Sequence, residues 1–256
     1  MAISKKRLYV STIDWDRAET LAAEYGIGLE LAEFCEARQL DAPDDTLMDS
    51  VRRKTAMAPA GVFHAPFSEL CPAAIDPLVR QVTLRRYRQS VALARELGIR
   101  RLVIHSGFVP IVYFREWFVP ESVKFWREFL QELPEDMEIL LENVMEEEPT
   151  ILRDIVAEVN DPRFRLCLDV GHANDFLSKT PVMDWIEVCA PWIGHVHLHN
   201  NEGGWDTHSP LGEGTIPMER VIETLEACCP AVTYTLENMD AAPSLVWLVE
   251  KGFLEK

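Results

Sequence analysis

Eight short runs rich in apolar and β-branched residues recur through the chain, separated by longer stretches of helical period. They are RLYVSTI (7–13), GIGLELAEF (26–34), GVFHAPF (61–67), RRLVIHSGF (100–108), MEILLENV (137–144), RLCLDVGH (165–172), IGHVHLHN (193–200) and AVTYTLEN (231–238). Runs of this length and composition read as strands. The clearest helix between them covers 76–98, opened by Asp76-Pro77 and closed by Gly98. Shorter helices fit 120–133, 148–159, 181–190, 217–229 and 243–253, each with proline at or near its start, where no N–H is needed. Eight strand–helix units in 256 residues predict an α/β chain closed as a (β/α)₈ TIM barrel. An open doubly wound sheet is the alternative, but no GxGxxG follows the first strand; Ile13-Asp14-Trp15 stands there instead. No low-complexity segment or linker divides the chain, so one domain over 1–256 is expected.

In such a barrel, sites form where strands end and the following loops begin. The third strand supplies His64 there, the fourth His105, the fifth Glu142, and the sixth Asp169 with His172. The seventh carries His195, His197 and His199 at strict alternation, its loop adds Asp206 and His208, and the eighth ends at Glu237. All seven histidines of the chain therefore fall at or just beyond strand ends. A lone strand-end histidine is more often a hydrogen-bonded structural residue than a ligand. Six consecutive strands aiming imidazoles and carboxylates at one mouth are a different matter, because buried charges need a counter-charge. Nitrogen and carboxylate donors without thiolate suit Zn²⁺, Mn²⁺ or Fe²⁺.

Composition narrows the partners. Lysine plus arginine is 25 against 42 acidic residues, a net charge of −17, which repels nucleic acid and anionic membranes. The six cysteines are scattered without a CxxC pair, so a thiolate cage is not expected. The N-terminal stretch has no apolar core, being interrupted by Asp14 and Asp16, and no run is long enough to span a bilayer; a cytoplasmic protein is expected. The basic stretch RRYRQ (85–89) falls on the outer helical ring, as a solvated or subunit-facing surface that allows a homo-oligomer.

The strand ends FHAPF, IHSGF, LLEN, LDVGH, HLHNN…WDTHSPLGEG and TLEN resemble those of the xylose isomerase-like TIM-barrel superfamily, from about residue 26 to 240. That superfamily holds sugar and sugar-phosphate isomerases and epimerases, and AP endonucleases of the endonuclease-four type. For the isomerases and epimerases, the resemblance implies one divalent metal on Glu142, Asp169, His197 and Glu237. The AP endonuclease pattern adds His64, His105, His172, Asp206 and His208, so one to three ions, Zn or Mn, are implied. His197 is the expected ligand, although a β-bulge would exchange it with His199. His199 is expected one step nearer solvent, touching substrate or orienting a ligand, and His195 one step deeper as a packed residue.

Two functions share this ligand set. In the first, an isomerase or epimerase acts on a small sugar or sugar phosphate, with Glu142 and Glu237 as acid and base and His172 holding a substrate hydroxyl. Phe67, Phe108, Trp117, Phe118 and Trp205 would wall the pocket, and LGEGT (211–215) offers backbone N–H groups for a phosphate. In the second, a multinuclear zinc phosphoesterase cleaves DNA at abasic sites. The ligand match favours the second, whereas the acidic loops after the second, third and seventh strands favour a carbohydrate substrate. A barrel reused as a binding module is a third reading, which the complete ligand set opposes.

Overall fold

Strands buried on both faces need cover on both, and a ring of strands with helices outside provides it. The computed structural model describes residues 2–14 and 17–255; Trp15 and Asp16, named above, lie outside the described residues. The chain runs β1 (Leu8–Ser11), α1 (Ala18–Tyr25), β2 (Gly28–Leu31), α2 (Arg38–Asp41), α3 (Asp45–Met57), β3 (Gly61–His64), α4 (Pro77–Glu96) and β4 (Arg101–His105). It continues with α5 (Arg115–Glu132), β5 (Glu138–Glu142), α6 (Thr150–Val159), β6 (Phe164–Asp169), α7 (Val182–Cys189), β7 (Ile193–Leu198), α8 (Met218–Cys228), β8 (Thr233–Leu236) and α9 (Ala242–Glu250). The strands pair in sequence order, all parallel, and β8 closes on β1. Each of the eight expected strands lies within the run read from the sequence, apart from β6, which starts one residue earlier.

The helices follow the expected punctuation with one exception. Asp76 caps α4 by accepting from the Leu78 N–H at 2.7 Å, and Pro77 occupies its first turn. In α5, however, Pro120 lies inside the helix rather than at its start. The N–H groups of Trp117 and Phe118 already donate to the Phe114 carbonyl, and Phe118 is wholly buried, so a turn forms ahead of the proline. Burial of that ring, worth about 1.5–3 kcal/mol, offsets the lost backbone bond.

Most apolar side chains pack between the strands and the outer helices. A second, smaller cluster of Tyr9, Val62, Val103, Leu140 and Cys167 plugs the barrel interior. Strand side chains alternate faces, so the residues two further along point inward as well, one layer higher. Those residues are His64, His105, Glu142 and Asp169. One layer below the plug, Arg101 pairs with Glu138 at 2.7 Å and donates to the Gly194 carbonyl at 3.1 Å, closing the floor. The polar mouth thus rests on a small apolar plug.

Candidate metal centre

His64, His105, Glu142 and Asp169 are the last residues of β3, β4, β5 and β6, and His197 is the penultimate residue of β7. A bulge sets that register. Leu166 pairs with Ile193 but Cys167 pairs with His195, so Gly194 is passed over and Asp169 stands opposite His197. The bulge precedes the histidine row and sets His197 opposite Asp169, within reach of Glu142 and Glu237, while His199 stands one layer up against Asp169 and in a group of metal-ligand spacing with His208 and Glu237. Its Nδ1 lies 3.0 Å from Glu237, 3.2 Å from Glu142 and 3.5 Å from Asp169. One donor atom from each of these four residues falls within 4.8 Å of the others.

Glu142 is also shared with a second group. Its Oε2 stands 3.3 Å from the Nε2 atoms of both His64 and His105, and these three form a further cluster of metal-ligand spacing. On the other side, Asp206 Oδ2 lies 2.8 Å from His208 Nε2 and 3.3 Å from His172 Nε2. All nine positions singled out in the sequence therefore converge on one mouth.

Backbone carbonyls orient several of the rings. Carbonyl oxygens only accept, so Nδ1–H of His64 donates to Ala65 (3.1 Å), that of His172 to Asn143 (2.9 Å) and that of His208 to Glu237 (2.7 Å). In each case Nε2 is left facing the carboxylates, the arrangement by which an outer partner sets which nitrogen binds a metal. For His197 the roles reverse: its Nε2 meets Glu30 at 3.0 Å, leaving Nδ1 toward the mouth.

Burial pushes the carboxyl of Glu142 up, but the imidazoles of His105 and His197 more than offset this and hold it well below its ordinary range. Asp169 is held down likewise against burial, by His172 and His199. Burial depresses His172, yet Asp169 and Asp206 raise it well above the usual imidazole value. His208, opposed by burial, is raised by Asp206 to about 9. His105 is lowered by burial despite Glu142. These pairings do not satisfy every atom. Glu142 Oε2, His199 Nδ1 and Asp206 Oδ1 are buried without a hydrogen-bond partner. Orphaned buried polar atoms cost roughly 1–3 kcal/mol each, and cations held at these positions would satisfy them. The donor set fits a divalent metal.

A pH dependence follows. Raised imidazoles favour the folded state fully below the unfolded value near 6.5, and this contribution is lost as pH rises through the folded value; for His208 the window is from about 6.5 to about 9. Chelator-treated protein should therefore lose melting temperature between about pH 6.5 and about pH 9, and added Zn²⁺ should flatten that slope while releasing protons. A level melting temperature across the window without metal would contradict this charge assignment.

Several expectations need correction. His199 is not nearer solvent: it is wholly buried, with Nε2 3.0 Å from both oxygens of Asp169. Gly171 makes room for it, since a Cβ there would fall within 2.5 Å of three atoms of the ring. Phe118 is wholly buried in the core, edge-on behind Phe108 at 5.0 Å. Trp205 is 78% exposed and packs on Phe176 at the rim, whereas Phe67 stacks on the His105 ring at 4.2 Å. The LGEGT turn holds itself together, the N–H groups of Glu213, Thr215 and Ile216 donating to Pro210, Asn201 and the Asn200 side chain. It offers little for a phosphate. His195 is packed as expected, bonded to Thr233 and Thr235, and burial lowers it to about 4.

Strand-end counting does not find Glu30. It is fully buried in β2 between His195 and His197, at 3.2 and 3.0 Å, and Thr235 donates to it at 2.5 Å. Its one signal in the chain is a lone acid within the apolar run GLEL. Asn143 escapes the same counting; its side chain bonds both the N–H and the carbonyl of Asp169, strapping β5 to β6.

Histidines and carboxylates gathered at the C-terminal mouth of a closed eight-stranded barrel make this a TIM-barrel protein with a site of metal-ligand type. The model of the xylose isomerase-like TIM barrel matches residues 20–237, and the chain belongs to that family. It is 25% identical to a D-tagatose 3-epimerase-like protein of known structure (TM-score 0.77, covering 96% of each chain). It is 26% identical to a Thermus thermophilus protein whose structure follows soaking with ZnCl2 (TM-score 0.74, covering 97% of this chain and 98% of that one). Among curated relatives, two uncharacterized proteins of Methanocaldococcus jannaschii are 32% and 26% identical over 69% and 60% of this chain, which spans 64% and 61% of their lengths. A probable endonuclease 4 of Mycobacterium marinum is 26% identical over 74% of this chain and 78% of its own length. Among the described residues, no helix is long and apolar enough to cross a membrane.

Proposed function

We propose that the protein is a divalent-metal-dependent isomerase or epimerase of a small carbohydrate, with Glu142 and Glu237 as acid and base. The observation that carries this reading is the buried quartet Glu142, Asp169, His197 and Glu237 at the mouth of the barrel. A divalent cation at such a site supplies chelation of two adjacent substrate oxygens and offsets the charge that develops there when a neighbouring C–H proton leaves. Glu142 and Glu237 approach the same His197 nitrogen from different strands, so two carboxylates flank one small space. One would take the proton and the other return it, inverting the carbon or delivering it to the next one. His172, tethered through Nδ1, presents Nε2 to a hydroxyl.

The second reading, a multinuclear phosphoesterase, draws on the separate His64/His105/Glu142 group and on Asp206 between His172 and His208. Cations near the loops are already paired: Arg17 with Asp240, Arg38 with Glu36, Arg115 with Asp154 and Lys179 with Glu147. A DNA backbone needs such groups free. Elemental analysis of protein purified without chelator, followed by a deuterium-exchange screen of ketoses beside an abasic-DNA incision assay, separates the readings. Exchange into a ketose with no incision is expected; incision without exchange would transfer the assignment to the phosphoesterase.

A further inference from the structure

The mouth has a side chamber. A cavity of about 520 Å³ lies between the loops after β3, β4 and β5 and the first turns of α4. His105 lines it, and the same ring meets Glu142 at 3.3 Å, so the chamber adjoins the quartet across that ring. Phe67, stacked on His105 and edge-on to His64, forms the shared wall. Beyond it the lining turns apolar, with Leu70, Val79, Phe108, Val109 and Met145. Gly107 keeps two of the loops together: at φ +74 a Cβ would stand 2.7 Å from the Leu70 carbonyl. No lysine or arginine is among the lining residues, and Glu69 stands among them.

A bare monosaccharide presents hydroxyls on nearly every carbon and would exchange their water for hydrocarbon in this chamber, an unfavourable trade without partners. A phosphate would meet Glu69 and no cation. An apolar ring or chain would lose only unfavourable hydration. Resting on the carbohydrate reading above, we infer that the substrate is an uncharged carbohydrate carrying a keto group beside the exchanged C–H and an apolar, preferably aromatic, substituent such as an aglycone, its polyol end at the quartet and the substituent in the Phe67–Val109–Met145 chamber; simple glycosides lack that keto group and serve as binding probes only. Aromatic stacking on Phe67 and His105 adds a geometric preference for planar groups.

The test compares matched methyl and 4-methylumbelliferyl glycosides of glucose, galactose, mannose and xylose, with glucose 6-phosphate, binding to metal-loaded protein by calorimetry. At least one umbelliferyl glycoside should bind about tenfold or more tighter than its methyl counterpart, from the apolar area it buries. Val79→Glu and Val109→Asp, at half-exposed positions on the chamber wall away from the quartet, should abolish that preference while metal content stays at the wild-type level. Equal binding of methyl and umbelliferyl glycosides, tighter binding of the phosphate, or no glycoside binding would overturn the inference. Preference retained in both variants would overturn it as well. Failure of the protein to take up metal would instead sink the metal-dependent reading, and the aryl preference can still be measured, because the chamber lies beside the quartet.

Discussion

Glu142→Gln is expected to lower substrate C–H exchange by roughly 100- to 10,000-fold, the range for loss of a positioned acid or base, and to reduce bound metal. The reason is crowding by imidazoles. Glu142 faces His64 and His105 through Oε2 at 3.3 Å, and His197 and His172 through Oε1 at 3.2 and 3.6 Å. Glutamine keeps the shape but removes the charge and replaces one oxygen with an NH₂ group that cannot ligate a cation. Both metal-ligand clusters that share Glu142 lose their common member. The measurement is paired: metal content by elemental analysis, and deuterium exchange under saturating metal. Full metal content with undiminished exchange would remove Glu142 from both roles. Full metal with lost exchange would leave it as a base only.

Glu30→Ala is expected to destabilise the fold by about 3–5 kcal/mol, the usual consequence of removing one partner from a buried ion pair. Against a total stability of roughly 5–15 kcal/mol, that is a shift easily read from a denaturant midpoint. Glu30 has no solvent contact, and its carboxylate is the partner of both His195 and His197 and accepts from Thr235. Burial pushes it up, and His197 with His195 hold it well below its ordinary range, so it is charged where the pair exists. Because Glu30 fixes His197 with Nδ1 toward the mouth, Glu30→Gln should weaken metal binding about 10- to 100-fold, as outer-shell changes do. Chelator competition measures this directly. An unchanged midpoint in Glu30→Ala, or unchanged affinity in Glu30→Gln, would mean that His197 is oriented by something else.

Much of the site is legible in the amino-acid sequence because a barrel strand has period two and one end that matters. Once the apolar runs are recognised, His64, His105, Glu142, Asp169 and Glu237 fall at their C-terminal ends by counting, and the His195/His197/His199 row announces a strand with one polar face. The repeated LEN of LLEN and TLEN likewise puts Glu142 and Glu237 at equivalent positions. Local punctuation works for α4, where capping and a first-turn proline agree, and misleads for α5, where burial of Phe118 starts the helix ahead of Pro120.

The choice among the three strand 7 histidines is not legible, since it turns on a single bulge at Gly194 that depends on how β6 and β7 pair. Nor is the burial of His199, which Gly171 allows by giving up its side chain. Which ring nitrogen faces the mouth is decided by carbonyls and by Glu30, separated from His197 by 167 residues. The apolar chamber is built from three loops and a helix with no shared motif. Strand-and-helix order, and the set of residues that reach the mouth, are written in the chain itself, because periodicity and strand ends are local properties. Which of those residues touch, which nitrogen each presents and what space is left between them come from closing the barrel, because they depend on contacts between residues far apart in the chain.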